Sequence, residues 1–290
     1  MAEDLQAAMF ASRSRDTVEV CELGNLRLES GDVIPNFRMS YVTFGTLNSD
    51  KSNAILSLHG LRAHRESQSF WAGPGKALDA DRYYIIQPDT LGAACYDPNA
   101  TTSPTRSGLK MKFPRFTIRD MVMAEHRMLT ECLGINHIVA VTGVSLGGAE
   151  SLQWAVSFPE FMDAVIPIVP PARTNLHLTY ILEAARRAIM LDPKWQAGDY
   201  PDDDPPVDGT ALAWLIQNSF GTDPQWYEER FATKSEVVAA SASDYFEGRA
   251  NIEPRDWFIA CGPPRVTTLA TRQDSAVIWP RRHVPSRLEC

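Results

Sequence analysis

Four short apolar runs constrain the fold most: AILSLHG (54–60), YYIIQPD (83–89), HIVAVTG (137–143) and AVIPIV (164–169) each stop at or near Gly, Pro or Asp. Runs of this length without alternation suit strands buried on both faces of a parallel sheet. Helical patterns lie between them, the clearest from Thr117 to Leu133. There Thr117 and Asp120 form a T-x-x-D box that satisfies free N–H groups of a first turn. Strand alternating with helix predicts a doubly wound, mostly parallel α/β sheet. Upstream, residues 17–46 alternate apolar and polar side chains around Gly24, Gly31 and Gly45, which predicts antiparallel hairpins. With 290 residues, 44% of them hydrophobic, the chain can bury a core large enough for a single domain over 1–290.

Two stretches depart from this texture. After Pro170 the apolar runs cease, and helical segments such as LTYILEAARRAIML and TALAWLIQNSF predict a helical insertion over the sheet, bounded at 172–250. The acidic loop between them, DYPDDDPPVDG, reads as a solvated turn. Residues 262–290 carry Arg265, Arg272, Arg281, Arg282 and Arg287 against Asp274 and Glu289, and four prolines interrupt them. This tail has a net charge of +3, leaving −11 on the rest of a chain whose total is −8. The overall negative charge argues against a general nucleic-acid binder. Five cysteines with no C-x-x-C pair indicate neither a disulfide framework nor a zinc site, which points to a reducing compartment. No stretch approaches the ~18 apolar residues of a membrane span, and Met1 to Arg15 are unlike a secretory signal, so a cytoplasmic chain is expected.

One short motif carries chemistry. Gly143-Val144-Ser145-Leu146-Gly147 sits between an apolar strand and a helix ending before Pro159, the context of a nucleophile elbow. Such a turn strains the serine, and glycines two before and two after it remove Cβ atoms that would collide. The Leu146 N–H is one expected oxyanion donor, and the loop after the 54–58 strand supplies a second, the Leu61 N–H. His59 and His64 flank that loop and are read as structural rather than as the general base. No metal-ligand cluster, phosphate loop or dinucleotide fingerprint is present, so no bound cofactor is implied beyond acetyl-CoA as a substrate.

Three blocks, WAGPGKALDADRYYIIQPDTLG, FPRFTIRDMV and GVSLGGAESLQWAVSFPE, resemble in order and spacing those of the homoserine O-acetyltransferase family, which has the α/β-hydrolase fold. The resemblance runs from about Gly31 to Tyr200. It implies a parallel sheet under a helical lid, an acyl-enzyme on Ser145, ping-pong transfer from a thioester, and a homodimer built through lid helices. It also aligns Arg186 with the arginine that holds the amino-acid carboxylate, a position that reads equally as a solvated helix residue. Two further polar positions of that acceptor pocket fall on Trp214 and Gly221, which cannot grip homoserine in the same way.

The remaining triad members depart further from the family. His283 is the best candidate base, with Asp256 or Asp274 as the acid. Asp274 lies nine positions before His283, too close for a parallel crossover to separate them. Pro263, Pro264 and Pro280 interrupt the path from Asp256. The expectation is that no complete Ser-His-Asp triad forms and that activity is low. Three readings follow: hydrolysis of a small ester, thioester or lactone; transfer to homoserine or a related alcohol; or a truncated, catalytically weak family member.

Overall fold

The computed structural model describes residues 18–93, 97–170, 174, 176–241 and 253–260. Its main sheet has six strands in the order β1-β2-β6-β3-β7-β8, where β1 is Glu19–Arg27, β2 Val33–Phe44, β3 Ala54–Leu58, β6 Tyr84–Pro88, β7 Ile138–Val144 and β8 Met162–Ile168. Two-residue strands β4 (Ala72–Gly73) and β5 (Leu78–Asp79) form a separate small ladder. β1 pairs antiparallel with β2 and β2 with β6, while β6, β3, β7 and β8 run parallel. Each apolar run is thus a strand, and the alternating N-terminal segment is the antiparallel hairpin.

All five residues of β3 are buried, as an unalternating run requires of a strand covered on both faces. β8 differs. It is the last strand of the sheet among the described residues, and Ile166 is 50% exposed. Among the described residues the AVIPIV run therefore departs from the expectation of burial on both faces, because apolar content marks a strand without marking what lies beside it.

Helix α1 (Ile118–Arg127) begins at the T-x-x-D box. The Asp120 N–H donates to Thr117 Oγ1 at 3.1 Å, and the Thr117 N–H donates to Asp120 Oδ2 at 2.8 Å. α1 passes into a π-turn, Met128–Cys132. Helix α2 (Leu146–Ser157) follows β7 directly. After β8 come α3 (Leu176–Leu191), α4 (Val207–Gly221), α5 (Pro224–Arg230), α6 (234–241) and α7 (Pro254–Ala260).

The core divides in two. One cluster, including Phe37, Leu56, Leu58, Val141 and Trp154, lies around the sheet, α1 and α2. A second, including Leu182, Ile189, Trp195, Tyr200 and Phe258, holds α3, α4 and α7 together and takes in Leu61. The acidic loop is tied to this second cluster. Arg255, fully buried on α7, donates to Gly198 O at 2.8 Å and to Asp202 at 2.9 Å, with its guanidinium 3.7 Å above the Tyr200 ring. Asp202 is thus an anchor as well as part of a solvated turn.

Cys21 on β1 and Cys132 at the end of the π-turn form a disulfide, with Cα atoms 6.0 Å apart. This corrects the expectation that the cysteines are unpaired and removes the support they gave to a reducing compartment. The partners are 111 residues apart in sequence and meet only because the hairpin packs on the α1 end, a contact no local spacing encodes. Among the described residues no helix is long and apolar enough to cross a membrane.

Candidate active site

Ser145 stands at the turn from β7 into α2, exposed, with φ 55° and ψ −110°. For a non-glycine residue this is a strained conformation, held here by bonds on both sides. The Ser145 N–H donates to Ile168 O at 3.0 Å, and Ser145 O accepts from the Ala149 N–H at 3.0 Å. The flanking glycines are sterically required. A Cβ on Gly147 would lie 2.4 Å from Leu58 O, and one on Gly143 would lie 2.4 Å from the Gly147 carbonyl carbon. The elbow is therefore pressed against the end of β3, the strand that leads into the second candidate donor loop.

That loop is built around one peptide. A Cβ on Gly60 would lie 3.8 Å from Ser145 Cβ, so the Gly60–Leu61 peptide borders the serine. Its carbonyl accepts from His59 Nδ1 at 2.9 Å. The tautomer follows from the ring's other bond, since the Thr90 N–H donates to Nε2 at 3.3 Å, leaving Nδ1 as the protonated nitrogen. Burial holds His59 neutral, pulling its pKa below the usual histidine value. Because C=O and N–H point oppositely across a peptide plane, anchoring the Gly60 carbonyl also orients the Leu61 N–H. His64 caps the next 3₁₀ turn, accepting from the Glu66 N–H at 3.3 Å, and burial lowers it to about 4. Both histidines thus hold the loop, as the sequence reading expects.

Beneath the loop, Asp89 accepts from the Arg65 N–H at 2.8 Å and the Ser40 hydroxyl at 2.6 Å, and it pairs with the Arg65 guanidinium. Burial alone would raise this carboxyl, but the Arg65 guanidinium and the two hydrogen bonds hold it below the ordinary carboxylate range. Next in the chain, Thr90 Oγ1 lies 2.9 Å from Glu125 Oε1 on α1 and 2.8 Å from Glu150 Oε2 on α2. Trp154 Nε1 donates to Glu125 Oε2 at 2.7 Å. Sequence reading missed this cluster, because a lone Glu in a helix looks like a solvated residue.

The helices after β8 contribute aromatic and cationic groups that meet the Gly60–Leu61 loop and one another. The Arg62 guanidinium lies 4.3 Å from the Trp214 ring centre, joining the residue after Leu61 to α4. Arg186 donates to Glu183 Oε2 at 2.8 Å and lies 4.2 Å over the Phe258 ring, so it packs between α3 and α7. Asp256 is buried at the start of α7, where its Oδ1 accepts from the Thr105 N–H at 2.9 Å. Burial pushes it up to about 6, against the pull of hydrogen bonds from Thr105 and Ser103. His283 and Asp274 lie outside the described residues, and Gly221 ends α4. Among the described residues no group of three or more His, Cys, Asp and Glu side chains is arranged to hold a metal ion.

A family profile described as alpha/beta hydrolase fold matches residues 53–279. The homoserine O-acetyltransferase of Zymomonas mobilis subsp. mobilis is 33% identical over 274 residues, covering 77% of this chain and 73% of that protein. The chain belongs to the homoserine O-acetyltransferase family. It is an enzyme of the α/β-hydrolase fold. The homoserine O-acetyltransferase of Methanococcoides burtonii is 36% identical over 226 residues, 71% of this chain but only 45% of that protein. Among solved structures, an acetylester hydrolase from Corynebacterium glutamicum superposes with a TM-score of 0.75 at 25% identity, covering 87% of this chain and 73% of that one. Membership of the homoserine O-acetyltransferase family therefore comes with structural likeness to an ester hydrolase.

Proposed function

We propose that this chain is a serine-dependent acyl-transfer enzyme that hydrolyses a small ester, thioester or lactone. The observation that carries the reading is Ser145 itself, exposed at positive φ with the Gly60–Leu61 peptide packed beside it. Ser145 Oγ attacks the carbonyl carbon, and the carbonyl electron pair moves onto oxygen, where the Leu61 and Leu146 N–H groups hold it. Collapse expels the alcohol or thiol, which takes up the proton that left Ser145. Water then attacks the acyl-enzyme carbonyl, the acyl–Oγ bond breaks to release the acid, and a proton from that water restores the Ser145 hydroxyl. On chain order alone His283 stands as the candidate base, with Asp256 or Asp274 as its acid, but the composition of the tail does not favour a fixed imidazole, so the triad is incomplete in this reading and turnover is low. The helices over 172–250 serve as a lid and, with Leu176, Tyr180 and Leu191 exposed on α3, as the face of a homodimer.

Water is favoured as acceptor because apolar Trp214 and side-chain-free Gly221 occupy positions where the family resemblance places polar groups. Arg186 also has its guanidinium engaged by Glu183 and Phe258. The second reading, acetyl transfer from acetyl-CoA to homoserine, is supported by what the relatives are named for. Purified protein should hydrolyse short p-nitrophenyl esters faster than it acetylates homoserine from acetyl-CoA. Faster acetylation would establish the second reading instead.

A further inference from the structure

The cluster of Thr90, Glu125 and Glu150 poses a proton-counting problem. Thr90 Oγ1 is within hydrogen-bond distance of both carboxyls, yet a hydroxyl has one proton and two ionised carboxylates can only accept. One carboxyl must therefore carry a proton. Glu125 already accepts from Trp154 Nε1 on its other oxygen, which favours the anion there. The proton is best placed on Glu150, which can donate to Thr90, with Thr90 donating to Glu125, or directly to Glu125, with which it also hydrogen-bonds. Both glutamates are completely buried, where two free negative charges would be prohibitively costly.

The position of this cluster links two parts of the site. Glu150 lies in α2, the helix that Ser145 starts. The backbone N–H of Thr90 holds His59 Nε2, and His59 Nδ1 holds the Gly60 carbonyl. Thr90, through its hydroxyl to Glu150 and its backbone N–H to His59, thus ties the nucleophile helix to the peptide bearing the Leu61 N–H. The groups facing it are His59, Asp89 with Arg65, and His126, whose ring lies 5.9 Å from that of Trp154.

We infer that Glu150, Thr90 and Glu125 share a single buried proton and act as positioning residues that set the oxyanion peptide against the nucleophile helix. This rests on the serine reading above, but the proton itself does not. Burial, and for Glu150 the neighbouring Glu125 charge, raise both carboxyls above the ordinary range, in the same direction.

Two measurements on the full chain separate the claims. Infrared spectra at pH 8 should show the carbonyl stretch of a protonated carboxyl in the wild type, lost in Glu150→Gln; no such band, or one that survives the substitution, overturns the shared proton. For ester hydrolysis, Thr90→Val and Glu150→Leu should each lower kcat by about tenfold or more with KM little changed, less than the 10²–10³ of losing an oxyanion donor outright. Thr90→Ser and Glu150→Gln, which keep a donor, should recover most of it. Unchanged kcat in both disruptive variants overturns the positioning role. If those variants fail to fold, the ratio of Thr90→Ser to wild-type kcat decides, with a loss as large as tenfold counting against it. Loss of the serine reading alone would leave the infrared band in place.

Discussion

At the residue scale, a tight constraint on the site is the space for a hydrogen atom at Gly147. A methyl there would meet Leu58 O and His59 O, backbone atoms of the strand and loop that flank the serine, so neither can swing aside as a side chain would. Gly147→Ala should therefore push α2 away from β3. Overpacking of this kind costs about 1–3 kcal/mol, so thermal denaturation should show a Tm lower by several degrees, on the order of 5 °C, and ester hydrolysis should fall with it. A variant that melts and turns over like the wild type would mean the elbow is looser than the contacts require. This requirement is legible in the G-x-S-x-G spacing once strand and helix flank it. The Glu125–Thr90–Glu150 contact is not, because it joins residues 35 and 60 positions apart whose types are ordinary in their own segments.

At the scale of elements, the apolar runs and the T-x-x-D box announce strands and a helix because their signals are local. What escapes is how elements meet. The exposed β8 and the Cys21–Cys132 bond both depend on which element lies beside which. The disulfide closes a loop of 111 residues between the hairpin and the end of α1, and cross-links of this kind typically contribute about 2–4 kcal/mol. Alkylation of denatured protein without reductant should leave Cys21 and Cys132 unmodified and joined in one linked peptide, and reduction should lower the Tm. Full alkylation of both before reduction would show them to be free thiols and restore the expectation of a reducing compartment.

At the scale of the molecule, the described residues bring together Ser145, the Gly60–Leu61 peptide beside it and helices α3, α4 and α7, whose core cluster takes in Leu61. The triad's other members are a matter of sequence alone. The tail carries a net +3 and four prolines, and it is on that composition that we propose an incomplete triad. His283→Ala should accordingly change the hydrolytic rate by less than about tenfold, whereas removing a working triad member costs far more. A thousandfold loss would make the tail a functioning catalytic element. The acid and base resist reading because their roles depend on where two loops come together, and no motif between Asp256 and His283 marks such a meeting.

Ser145 underlies the proposed function, and its reactivity can be measured directly. Incubation with a fluorophosphonate should add one adduct to the intact mass, map to the peptide containing Ser145, and give no adduct in Ser145→Ala. An adduct that persists in that variant, or that maps to another residue, would contradict the assignment of the elbow serine as the nucleophile.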